Sequence, residues 1–176
     1  MSTESHVTND AARRSIEVEY KALRDEILKR IEMRQQIISV TLTLAGIFLG
    51  VGLTRATVPL IYPPLAAFLA LSWSQNDFRI RATAKYIREE LEASVSGLGY
   101  ETYVQRARES KKEGLGAWRF IVLAHGGIFL ITQLMAIGIE LVRLPFNPLQ
   151  WALLGVDIVS VGLVAWLMKS KVRVNY

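Results

Sequence analysis

The sequence predicts an all-α integral membrane protein with four transmembrane helices and a small cytoplasmic helical bundle, on three observations. First, four stretches, residues 37–54, 56–76, 120–139 and 144–168, are apolar; the first three contain no Asp, Glu, Lys or Arg and the fourth only Asp157. Each is long enough to cross ~30 Å of hydrocarbon at ~1.5 Å per helical residue. Second, 19 of the 21 basic residues lie before the first stretch, between the second and third, or after the fourth, and only Arg55 and Arg143 lie in the two short connections. Third, apolar residues outside the spans recur every three or four positions, the period of an amphipathic helix.

Residues 1–36 form a cytoplasmic N-terminal segment. Positions 1–9 are polar and offer little to bury, so disorder is expected there. From Asp10 a helix is predicted, with Ile16, Tyr20, Leu23, Ile27 and Ile31 along one face. No short apolar core with a small-residue cleavage site precedes the first span, so no signal peptide is expected. Residues 37–76 form the first transmembrane hairpin. Gly46 and Gly50 make a GxxxG step on its first helix, a face for close packing within the subunit or between subunits. Pro63 and Pro64 lie about a third of the way into its second helix, where loss of a backbone donor predicts a kink or a restart.

Residues 77–118 are read as a cytoplasmic helical segment. Phe78 and Ile80 lead into Ala84, Ile87, Leu91 and Val95, a stripe that should pack antiparallel to that of the N-terminal helix. Glycines at 97 and 99 break it, and a shorter helix follows over 100–113 before Gly114 and Gly116. Residues 119–168 form the second hairpin and 169–176 a cytoplasmic tail. Trp73, Trp118 and Trp166 fall at the inner membrane boundary, Tyr62 and Trp151 at the outer one.

The basic asymmetry puts both termini and the central segment inside a bacterial plasma membrane, as a multi-pass protein. Acidic residues nearly cancel these charges locally, seven against seven before residue 37, so the formal +5 is an orientation signal and no nucleic-acid partner is expected. With no cysteine and two histidines, thiolate chemistry, disulfides and a His-rich metal site are excluded, and neither metal nor cofactor is expected. HExxH, GxSxG, P-loop and dinucleotide motifs are missing, so no enzyme is expected.

The residues that can carry function are polar groups within the spans. Asp157 stands deep in the fourth, where a charged Asp costs ~2.5–3.5 kcal/mol on insertion scales. Matching depth across the last hairpin brings it near Thr132 and Gln133. His125, followed by Gly126 and Gly127, reaches a depth similar to Thr41 and Thr43. These six are the candidate pore or intramembrane polar residues; the alternative for each is an ordinary interhelical hydrogen bond. Gly126 and Gly127 join Gly46 and Gly50 as packing or oligomer positions. Glu140 and Arg143 read as a solvated pair at the outer end.

The runs EYKALRDEILKRIEMRQQIISVTLTLAGIFLG, YPPLAAFLALSWSQNDFRIR and WRFIVLAHGGIFLITQLMA resemble those of a set of bacterial four-span membrane proteins that carry no assigned activity. In layout the chain is also similar to membrane effectors of bacterial immune systems, which implies a response to a cytoplasmic trigger by permeabilising the inner membrane. The expectation is thus a homo-oligomeric channel or pore-type effector in membrane lipid, gated through its cytoplasmic helices. A non-conducting anchor that recruits a cytosolic protein at residues 10–34 and 77–113 is the alternative. A transporter, motivated only by the proline step, is the third.

Overall fold

The computed structural model describes the backbone of residues 3–94, 99–110, 115–143 and 145–174, and the side chains of 13–94, 99–107, 126–143 and 145–170. All described elements are helical. They are α1 (Thr3–Gly52), a 3-10 turn (Pro59–Ile61), α2 (Tyr62–Tyr86), a π turn (Ile87–Leu91), α3 (Glu92–Ser94), α4 (Tyr100–Ser110), α5 (Leu115–Leu141) and α6 (Pro148–Val174). They divide into two compact units, Met1–Met33 with Asn76–Glu113, and Arg34–Gln75 with Gly114–Tyr176.

In the first unit the sequence stripes find each other. Ile27, Ile87 and Leu91 are buried, and Ile16, Tyr20, Leu23, Ile80 and Ala84 pack around them. Ile31 and Phe78, expected in the same stripes, are exposed instead. The rod from Tyr62 to Ser94 does not stop at the π turn; the Glu92 N–H bonds to the Ile87 carbonyl, five residues back. Glu92 then reaches across the chain to cap α4. Its carboxylate accepts from the Glu101 and Thr102 N–H groups at 2.7 and 2.9 Å and from the Thr102 hydroxyl at 2.7 Å. A carboxylate there satisfies first-turn donors that have no intrahelical partner and meets the positive end of the helix dipole. Arg24 pairs with Glu101 and lies 4.2 Å over the Tyr100 ring, which ties α1 to the same helix start.

The second unit contains the apolar helices. Among the described residues, two helices are long and apolar enough to cross a membrane, Arg13–Gly52, which begins in the first unit, at a mean hydropathy of 1.5 and Pro148–Ser170 at 2.0. Only 22% and 17% of their most apolar windows are buried, whereas the core helix of a soluble protein hides most of its surface. Four such helices were expected. The second falls short because residues 53–58 are turn and Pro59–Ile61 is 3-10, so α2 supplies only Tyr62 to Gln75 before Asp77. Of the third, the stretch with described side chains, Gly126–Leu141, is apolar but shorter.

Pro63 and Pro64 stand in the first turn of α2, where missing N–H groups leave no bond unmade; they begin a helix and kink none. Gly52 is required at the end of α1, because a Cβ there would lie 2.4 Å from Pro59 Cγ. α6 begins with a reciprocal cap. Gln150 N–H donates to Asn147 Oδ1 and Asn147 N–H to Gln150 Oε1, both at 2.8 Å, with Pro148 at the first helical position.

A polar column closed by an apolar plug as the candidate functional site

Buried side chains in the second unit are sorted along the helices. At the turn end, α5 contributes Glu140 and α6 contributes Gln150. Further along come Asp157 and Ser160 on α6, Gln133 and Thr132 on α5, Tyr62 on α2 and Thr41 on α1. Small residues, Ala45, Ala66 and Ala136, separate the helices beside Tyr62. Beyond this column the interior becomes wholly apolar. Ile38, Ala67, Ala70, Trp73, Phe129 and Val164 form one cluster, with the Trp73 and Phe129 rings 6.4 Å apart. A cavity of about 20 Å³ remains between Trp73, Gly126, Phe129 and Met168, room for one water and no more.

The turn end is a clasp. Glu140 is fully buried, and its Oε1 accepts from the Thr57 N–H at 2.8 Å and from Gln150 Nε2 at 2.6 Å. Arg143 approaches the other oxygen at 3.6 Å and donates to the Leu53 carbonyl at 2.8 Å. One carboxylate therefore joins the 53–58 turn to the start of α6. Thr57 has φ of 74°, a left-handed conformation that a β-branched residue rarely adopts, and the bond from its N–H to Glu140 holds it. The expected solvated pair is thus corrected. Glu140 turns inward, where the Thr57 N–H and the Gln150 amide donate to it.

In the middle of the column, Tyr62 donates to Thr132 Oγ1 at 2.8 Å, and Thr132 donates in turn to the Ile128 carbonyl at 2.7 Å. Thr41 bonds to the Ile37 carbonyl at 2.7 Å. Gln133 Nε2 donates to the Pro63 carbonyl in the first turn of α2 at 3.0 Å. Asp157 is fully buried, yet neither carboxylate oxygen has a hydrogen-bond partner, and neither has Gln133 Oε1. Glu140 bonds Gln150, and Gly126 faces Met168. That antiparallel register carries Asp157 to the level of Gln133 to Ala136.

Asp157, Gln133, Thr132 and Thr41 are thus gathered in one interior. Thr43 is not; it is exposed and bonds back to the Ser39 carbonyl. His125 lies on α5 but outside the described side chains. Gly46 and Gly50 are exposed, and a Cβ at either would meet nothing within 4 Å, so this face takes no part in packing within the chain. Gly126 is covered by Met168, whereas a Cβ at Gly127 meets open space. Two boundary aromatics are corrected as well, since Tyr62 and Trp73 are core residues; Trp151 and Trp166 are exposed, and the Trp118 side chain lies outside the described residues.

Sequence reasoning missed Gln150, Ser160, Tyr62 and the ring pair of the plug. Gln150 had a readable signal in Asn147-Pro148-Leu149-Gln150, a capping-box spacing with proline at the first helical position. Comparison with known families, curated proteins and solved structures finds no match for this chain.

Proposed function

We propose that this chain is a four-span inner-membrane protein that assembles into a homo-oligomeric channel or pore-type effector, with a closed resting form. The observation that carries the reading is that the buried polar side chains described in this unit, from Glu140 to Thr41, lie to one side of the apolar cluster from Ile38 to Val164, with Ala45, Leu60, Ala66, Ala136 and Leu154 interspersed among them. A polar path that ends in an apolar constriction is the arrangement by which channels close through dewetting. The spans are α1, the 3-10 turn with α2, α5 and α6. The 19-to-2 basic asymmetry supports cytoplasmic termini and a cytoplasmic central segment, with the Glu140 clasp outside. Exposed apolar side chains such as Val40, Ile47, Ile158, Val159 and Trp166 suit a lipid surface, and the open Gly46 and Gly50 suit a neighbouring copy.

The test is ion flux in liposomes. Phe129→Ala and Trp73→Ala thin the plug and should raise flux above wild type, while Asp157→Leu should alter it. Single cysteines at Ser2, Ser110 and Ser170 should resist an impermeant thiol reagent in intact cells, and one at Thr57 or Asn147 should react. Wild-type impermeability that neither plug variant relieves would end the channel reading. The anchor reading, which the exposed Val18, Leu28, Phe78 and Tyr103 of the first unit favour, would then replace it.

A further inference from the structure

Two carboxylates are fully buried in the second unit, and their surroundings are opposite. Glu140 has two donors on one oxygen, the Thr57 N–H and the Gln150 amide, and its other oxygen, which makes no hydrogen bond, has the Arg143 guanidinium 3.6 Å away as a counter-charge. Asp157 has none. Its two oxygens and Gln133 Oε1 are three acceptors without a donor, and the opposite end of the Gln133 amide is committed to the Pro63 carbonyl. Among the described residues, none of the hydroxyls of this column is free to turn toward them. Thr41 gives its hydroxyl proton to the Ile37 carbonyl, Tyr62 to Thr132, Thr132 to the Ile128 carbonyl and Ser160 to the Val156 carbonyl.

Three buried acceptors without a hydrogen-bond donor, brought to one level by the register of α5 and α6, lack either a cation or a proton. Hard metal cations take about six or more oxygen ligands, and two side chains cannot supply them. A proton needs one oxygen to carry it and one to receive its hydrogen bond, which is what Asp157 and Gln133 offer. We propose that Asp157 is a proton-binding site, its carboxyl taking up H⁺ from water and presenting the resulting O–H to Gln133 Oε1. Glu140, already supplied with donors, is not such a site. Among the described residues, the other titratable side chains of this interior are Tyr62 on α2 and Glu140 on α5 with Arg143 beside it; the fully buried polar residue of α1 is Thr41, and α6 brings no second titratable group, while the His125 side chain lies outside the described residues. The inference deepens the channel reading by naming the proton as the ion that engages the column, and it rests on that reading for the bilayer around the bundle.

Dicyclohexylcarbodiimide tests it, because this apolar reagent modifies a carboxyl only in its protonated form. The full-length wild-type protein in liposomes is treated across a pH series, digested, and its labelled peptides are identified by mass spectrometry. Label is expected on Asp157 and not on Glu140, falling about tenfold per pH unit once the proton is lost. Asp157→Asn should remove it. Equal label on Glu140, no label on Asp157 at any pH, or protection by NaCl but not choline chloride at equal ionic strength would overturn the proposal, the last in favour of a metal cation. Flux in the same liposomes is scored separately. Label without flux keeps the proton site and sinks the channel, and flux without label does the reverse.

Discussion

Glu140→Ala takes the common acceptor away from the Thr57 N–H and the Gln150 amide and leaves Arg143 only its bond to Leu53. A hydrogen bond to a charged group contributes about 1.5–3 kcal/mol in proteins at large, whereas interhelical bonds in bilayers average about 0.6 kcal/mol. Two bonds therefore bracket about 1–6 kcal/mol. The Arg143 ion pair adds little, since it spans 3.6 Å and that side chain is 28% exposed. Gln150, at 7% exposure, cannot turn to water for a new partner, so we expect a loss near the middle of the bracket, about 3 kcal/mol. Glu140→Gln keeps an oxygen that can accept from both donors and loses only the charge that strengthens those bonds, so it should cost about 1 kcal/mol. Reversible unfolding in mixed micelles, titrated with SDS, measures both. A loss within about 0.5 kcal/mol for Glu140→Ala, the ordinary result at a surface, would refute the clasp. Equal losses for Ala and Gln would refute its hydrogen-bond basis.

Gly52→Ala should cost about 1–3 kcal/mol in the same titration, because its new methyl meets the closed Pro59 ring, which has no free rotamer to give; unchanged stability would show that the turn can widen. Gly46→Leu with Gly50→Leu should lower the oligomer's mass by light scattering with little loss of subunit stability, since both positions are exposed and a Cβ at either has nothing within 4 Å; a monomeric wild type would rule out the assembly. In the first unit, burial works to raise the Glu92 carboxyl, but the bonds from the Thr102 hydroxyl and the Glu101 and Thr102 N–H groups outweigh it and hold the group below its ordinary value of 4.5. A lowered folded value means that its contribution is complete above pH 4.5 and disappears as pH falls through the folded value. Hydrogen-exchange protection of the Glu101 and Thr102 amides should follow that acid limb, and Glu92→Gln should flatten it; an identical limb in the variant would show that Glu92 does not set it. Ile87→Ala, in the middle of the small core, should cost about 2–5 kcal/mol, read from loss of helicity on heating.

The parts of this fold legible in the sequence are those written by periodicity. Ile16, Tyr20, Leu23 and Ile27 on one helix and Ile80, Ala84, Ile87 and Leu91 on another share a face by spacing alone, and they form the core of the first unit. Asp157 and Gln133 could likewise be matched by counting from the turn of a hairpin. Hydropathy, however, reports what a stretch contains and says nothing of its path. Residues 56–61 are as apolar as a span yet turn back on Gly52, and the prolines that looked like a break within a helix are its beginning. Glu140 illustrates a second limit. Beside Arg143 at the end of an apolar run it reads as a surface charge, and only the return of the 53–58 turn, some eighty residues earlier, supplies the donor that draws it inward.

The π turn of the Tyr62–Ser94 rod has a bearing on how this chain can change length. Its bond from Glu92 to Ile87 encloses one residue more than an α-helical turn would, and the extra residue sits among Arg88, Glu89 and Glu90, away from the buried Ile87 and Leu91. Deleting one of those three lets the bond close at the usual spacing while the helix on either side keeps its aim, so Glu92 still reaches the start of α4. The same deletion anywhere else in the rod would rotate everything beyond it by about 100° and carry the stripe off its partner. Single-residue gaps between homologous chains should therefore gather at this one turn.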